Sequence, residues 1–164
     1  MTVASGAALA GSGIIGGAVT VNAGAHLTPG SSIGTLNVNS LALAPNSLLD
    51  YELGTTASSD LTIISSAGGL ALSGGSVNVT GVAGFGIGEY RLLDYTNSFT
   101  GSPSNLTLGT APSGFIYSFI DNPATTSIDV VVAVPEPAAS LTFIALSFPV
   151  LAGRRRSAGA PVAL

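Results

Sequence analysis

The chain has 164 residues, enough for one domain with a buried core and an appended tail. Only 7% of them are charged, against about 25% in an ordinary soluble domain, and cysteine is absent, which excludes a disulfide framework and a thiolate metal site. Residues 1–134 carry seven acids against Arg91 alone, a net of −6 that argues against nucleic-acid binding, whereas residues 135–164 carry Glu136 and three arginines, a net of +2.

Disorder needs low hydrophobicity with high net charge. The chain has neither, so it is expected to fold. No stretch of helical length shows an apolar stripe. Short alternating segments recur instead, separated by Gly, Ser, Pro and Asn. In chain order they predict strands over residues 18–22, 35–39, 41–43, 47–53, 61–64, 76–80, 89–95, 105–108, 115–120 and 127–133, with Gly11 to Gly17 read as a turn. Val19 and Val21, Leu36 and Val38, and Val77 and Val79 each place apolar side chains on one strand face. The fold class is all-β. A sandwich or barrel is possible on strand length alone. A solenoid is favoured by the repeat of a small-residue turn plus a short apolar strand (GGAVTVNAG, GTLNVNS, LALAPNSLLDYEL) and by the shortage of charge.

The run Ala25-His26-Leu27-Thr28-Pro29-Gly30-Ser31-Ser32-Ile33-Gly34-Thr35-Leu36 resembles a recurring element of autotransporter-type passenger domains, the autotransporter-associated β-strand repeat. Tyr51-Glu52-Leu53 and the stretch Glu89 to Tyr95 fit the same kind of C-terminal region. The resemblance implies the end rungs of a right-handed parallel β-helix over residues 1–84, displayed at a cell surface in an adhesive or biofilm role. Residues 85–133 hold seven of the ten aromatics, which predicts a small antiparallel cap closing the open end.

Candidate chemistry is sparse. His26, the only histidine, sits beside a Pro-Gly turn with no second histidine, cysteine or close carboxylate pair, and reads as an exposed turn residue. Asp50 and Glu52 share a strand face, and Asp60 follows ten residues after Asp50. Such acids could serve glycan cleavage or calcium binding, but the Gly-Gly-x-Gly-x-Asp pattern is missing and a solvated outer face is favoured. Gly84-Phe85-Gly86-Ile87-Gly88 lacks the strand-to-helix context of a nucleotide loop. Asn78 and Asn105 head incidental glycosylation patterns. No catalytic residue, metal site or cofactor is expected, and the chain is read as a non-enzyme.

The tail over residues 134–164 carries the clearest signal. Pro135-Glu136-Pro137 ends the last strand, the run Ala138 to Gly153 is uncharged, and Arg154, Arg155 and Arg156 follow at once. As a helix, residues 137–156 span about 30 Å at roughly 1.5 Å per residue, the thickness of a bilayer core, provided the arginine stems snorkel. The arginines then stay on the cytoplasmic side and the body lies outside. A buried core helix is the competing reading.

The ordered set Pro-Glu-Pro, apolar run and basic cluster is similar to the PEP-CTERM sorting signal of Gram-negative bacteria. That resemblance implies a single transmembrane helix, an exosortase that processes the tail, extracellular polysaccharide in the surroundings, and an exported protein held first at the inner membrane and then at the envelope or outside the cell. The sequence opens with no basic residue, so export predicts either that the chain is the C-terminal piece of a longer protein or that its start is misassigned. The functional expectation is an exported structural or adhesive surface protein. A fragment of a β-helix enzyme acting on polysaccharide, and a membrane-anchored protein that never leaves the cell, are the alternatives.

Overall fold

The computed structural model describes residues 1–136. The chain forms β1 (Thr2–Val3), β2 (Ala8–Gly11), β3 (Gly13–Val21), β4 (His26–Pro29), β5 (Thr35–Leu43), β6 (Leu48–Thr55), β7 (Ser58–Ser59) and β8 (Leu61–Ala67). It continues through β9 (Leu70–Leu72), β10 (Gly75–Gly81), β11 (Gly88–Thr96), β12 (Phe99–Gly101), a 3-10 turn at Pro103–Asn105, β13 (Leu106–Leu108), β14 (Ile116–Asn122) and β15 (Ser127–Ala133). One sheet runs β1-β3-β5-β8-β11-β15-β14, with β9 beside β5 and β12 beside β9; the other runs β13-β10-β6-β4-β2, with β7 folded back on β6. The chain alternates between the two sheets, and stacked strands pair in parallel. It is an all-β, parallel β-solenoid of about three turns.

Alternation drives this arrangement. In β5, Leu36, Val38, Leu41 and Leu43 are buried while the intervening Thr35, Asn37 and Ala42 stay partly exposed. Ladder register then stacks like on like. Val19, Leu41, Leu70 and Phe99 form one inner row, and Leu27, Leu49 and Val77 another. Each buried leucine contributes about 1.5–3 kcal/mol, and inner rows of this kind leave no room for a charge. Tyr51 crosses the interior as a strut. Its hydroxyl lies 2.9 Å from Thr62 Oγ1 and donates to the Leu92 carbonyl at 3.1 Å, which joins one sheet to the other.

The corners stack as well. Gly6 donates its amide to Gly24 O and Gly24 donates to Asn46 O, each at 2.8 Å, and all three have positive φ. Asn tolerates this left-handed conformation better than other side chains do, which is why Asn46 can stand where the earlier coils use glycine.

Successive ladder partners Ala8, His26, Leu48, Ser76 and Thr107 are separated by 18, 22, 28 and 31 residues. The coils lengthen toward the C-terminus, and this produces the irregular repeat seen in the sequence. The added residues form the β6–β7 hairpin and the loop from Val82 to Ile87. The parallel ladders continue past residue 85, through Leu108. Antiparallel pairing closes the end: β15 adds to β11 and β14 adds to β15. Phe85 packs here, 5.8 Å from the Tyr90 ring and 5.4 Å from Phe115. The Tyr90 hydroxyl donates to Gly86 O at 2.9 Å and accepts from Gly86 N at 3.0 Å, so the glycine-rich Gly84–Gly88 connector is pinned.

Two local expectations are corrected. Gly13–Val21 is one nine-residue strand: of the glycines read as a turn, Gly13 pairs with Leu36 of β5, Gly16 and Gly17 form the irregular step between Ile15 and Ala18, and Gly11 ends β2. Ala8–Gly11 and His26–Pro29 are also strands, although their small or proline-containing sequences show little alternation. The helix expected over residues 137–156 lies outside the described residues. Among the described residues no helix is long and apolar enough to cross a membrane.

Candidate functional site

Parallel register brings polar side chains into one row on the outer face of the β2-β4-β6-β10-β13 sheet. Asp50 on β6 stands opposite Asn78 on β10 and beside β4. Its Oδ2 lies 2.6 Å from His26 Nδ1 and accepts from Thr28 Oγ1 at 3.3 Å, while its Oδ1 accepts from Asn78 Nδ2 at 2.7 Å. Asn78 Oδ1 in turn accepts from Thr110 N at 2.9 Å and Thr110 Oγ1 at 3.2 Å. The result is a continuous polar ladder, His26–Asp50–Asn78–Thr110, that takes three steps from coil to coil. Gly109 permits its last step, because a Cβ there would lie 2.1 Å from Asn78 Oδ1.

His26 is therefore a strand residue with a carboxylate partner, not an exposed turn residue. The side chains of His26 and Asp50 are 37% and 30% exposed, so the pair is reachable from solvent. Among the described residues the hydrogen bond recorded for the His26 ring is the one between Nδ1 and Asp50. Among those residues no three His, Cys, Asp or Glu side chains cluster to hold a metal ion. Asn78, half-buried and bonded on both sides, is a rung of the ladder.

Next to the ladder lies an open cleft of about 380 Å³, lined by Thr28, Gly30, Ser31, Ser32, Glu52 and Asp60 among others. Its floor is the Pro29-Gly30-x-Ser32-x-Gly34 element. Gly30 has φ +84°, and a Cβ there would lie 2.0 Å from Ser32 O. Gly30 and Gly11 exchange amide hydrogen bonds at 2.9 and 3.1 Å. Asp60 clamps the loop from beneath: it accepts from Gly34 N at 2.8 Å and from Glu52 N at 2.7 Å. Burial pushes the Asp60 carboxyl above its ordinary range, and the two backbone donors hold it back in part. At 1% exposure Asp60 is a structural clamp, not an acid of the solvated outer face. Of the three acids singled out in the sequence, Glu52 alone reaches the cleft as a partly exposed carboxylate. The passenger-like motif is thus a backbone device that turns one coil into the next.

Of the sorting signal, Pro135 and Glu136 follow β15 and are exposed. Pro137 and the basic cluster Arg154, Arg155 and Arg156 lie outside the described residues.

The geometry defines a class: a parallel β-solenoid segment with a polar outer ladder and an antiparallel end. No family model matches the chain. Over 105 residues it is 45% identical to the adhesin BmaC autotransporter of Brucella suis biovar 1 (strain 1330). The matched stretch covers 58% of the chain and 3% of that protein, so the chain spans a small part of the length of its relative.

Proposed function

We propose that this chain is part of a non-enzymatic, exported cell-surface protein with a structural or adhesive role. The observation that carries the reading is the stack of parallel coils poor in charge, in a chain that over 105 residues is 45% identical to part of an adhesin. Stacked coils make a long rigid surface from short repeats, and lateral contact with polymers needs such a surface more than it needs a reactive centre. In this reading the solenoid winds right-handed. The tail is a sorting signal of the PEP-CTERM kind, built from Pro135, Glu136, Pro137 and the arginines Arg154 to Arg156. A helix over residues 137–156 anchors the protein in the inner membrane until an exosortase cuts it, after which the body reaches the envelope or the extracellular polysaccharide.

Expression of the full chain behind an export signal, in cells with and without an exosortase, tests this reading. The expected result is surface-accessible protein that loses the mass of its tail only where the exosortase is present. Retention of the whole chain in the cytoplasm in both strains would overturn it. The His26–Asp50 pair beside a cleft gives the polysaccharide-active alternative its one observation. Release of new reducing ends from plain polysaccharides, lost in His26→Ala, would favour that alternative.

A further inference from the structure

A second polar cluster lies away from the outer ladder, where the antiparallel hairpin meets the last coil. β11 and β15 pair with Glu89 opposite Val131 and Arg91 opposite Asp129. β14 closes the other side, with Ile120 opposite Asp129 and Asn122 opposite Ser127. Asn122 Nδ2 donates to Glu89 Oε1 at 2.6 Å and to Asp129 Oδ2 at 3.2 Å. One amide group therefore ties two carboxyls from different strands. Asn122 Oδ1 is already engaged, accepting from Ala124 N at 3.2 Å. Asp129 is 1% exposed, and its Oδ1 is buried with no hydrogen-bond partner among the described residues.

The surroundings offer little compensation. On β11, Arg91 gives its guanidinium to Asp94 at 3.0 Å. On β14, Asp121 accepts from the Tyr95 hydroxyl at 2.6 Å. The remaining neighbours are acidic or neutral. Two ionised carboxylates held by one amide repel each other, and one of them has lost its hydration. A single proton placed on the pair removes the repulsion and supplies a donor.

We propose that Glu89 and Asp129 form a proton-dependent latch that seats the β14–β15 hairpin on the last coil, closed when the pair carries a proton and strained when both groups are ionised. Burial first, and the adjacent Glu89 with it, pushes the Asp129 carboxyl from 3.8 up to about 6, while Ser127 and Asn122 pull it back in part. The folded state then holds the proton more tightly than the unfolded chain does. The latch is fully made below pH 3.8 and is released as pH rises through about 6. β14 is the last strand of its sheet, the kind of edge element in which such a change is read as local opening.

Amide hydrogen exchange of the full chain, corrected for intrinsic rates, tests the latch between pH 4.5 and 7.5 (about the span that brackets the titration). The expected result is roughly tenfold faster exchange of the β14 and β15 amides at the alkaline end, with the β5 and β6 amides unchanged. In Asp129→Asn the hairpin amides should stay protected across the range. Glu89→Gln, at the solvent side of the pair, should keep the hairpin protected to a higher pH than in the wild type and make the profile shallower, because burial of Asp129 remains while the repulsion is gone. It serves as the second variant should the buried substitution prevent folding. A flat profile in the wild type, or the wild-type slope surviving in both variants, would overturn the latch. Protection at the alkaline end that returns with calcium chloride and does not respond to acid would overturn it also, since a cation and not a proton would then bridge the carboxyls.

Discussion

Asp60 receives the amide proton of Gly34 at 2.8 Å from a position 26 residues further along the chain, one coil later in the solenoid. Through this bond and its partner to Glu52 N, a single buried carboxylate fixes the corner at which the chain passes from one sheet to the other.

Removing that carboxylate is expected to loosen the corner. Asp60→Ala leaves two backbone donors in a buried site without an acceptor, at about 1–3 kcal/mol each. Asp60→Asn keeps one acceptor and turns a donor toward the other amide, so it should lose less. Chemical denaturation should rank the stabilities wild type, Asp60→Asn, Asp60→Ala. Equal midpoints for all three would show that the clamp contributes nothing.

Gly30 sits in the same corner under a different constraint. Its φ of +84° is unfavourable for any side chain, and its Cβ position lies 2.0 Å from the Ser32 carbonyl. Gly30→Ala should therefore destabilise by more than about 2 kcal/mol, from backbone strain and displacement of the loop together. Gly16→Ala is the control, since nothing lies within 4 Å of the added carbon and φ there is not positive. A thermal melt that ranks the two variants alike would contradict this account of the motif.

The contrast between these residues explains what was legible in the sequence. Val19, Val21, Leu36 and Val38 showed the solenoid's inner face, because burial on one side imposes alternation. His26 to Pro29 did not read as a strand, since its proline and the turn residues Gly30 to Ser32 that follow mask a pairing supplied by its neighbours. The partnership of Asp50 with Asn78 depends on a coil of 28 residues where the coil before it has 22, so no fixed spacing could reveal it. Asp60 looked like a companion to Asp50 and Glu52. Only the β6–β7 hairpin turns it inward.

The outer ladder should behave as a chain of modest, coupled bonds. Asp50→Ala removes the common acceptor of His26, Thr28 and Asn78, and is expected to lower stability by about 1–2 kcal/mol at these partly solvated positions. Asn78→Ala should lower it by a similar amount, and the double variant by less than the sum, because the Asp50–Asn78 bond is lost in each single variant. Strict additivity in a double-mutant cycle would mean that the rungs act independently.

Alkali gives a separate handle on the hairpin end. The Tyr95 hydroxyl donates to Asp121 Oδ1 at 2.6 Å, and burial, followed by that bond and the acidic surroundings, pushes its pKa from 10.0 up to about 12. The folded state thus holds the phenolic proton more tightly than the unfolded state does. The stability this contributes is fully present below pH 10 and is lost as pH rises through about 12. Tyr95→Phe deletes the proton and the bond together. It should be less stable than the wild type at neutral pH, and its stability should fall less steeply in the alkaline range. Ultraviolet titration of the phenolates, run alongside denaturation at each pH, checks both halves. Parallel alkaline profiles for the two proteins would show that the proton held between Tyr95 and Asp121 does not support the fold.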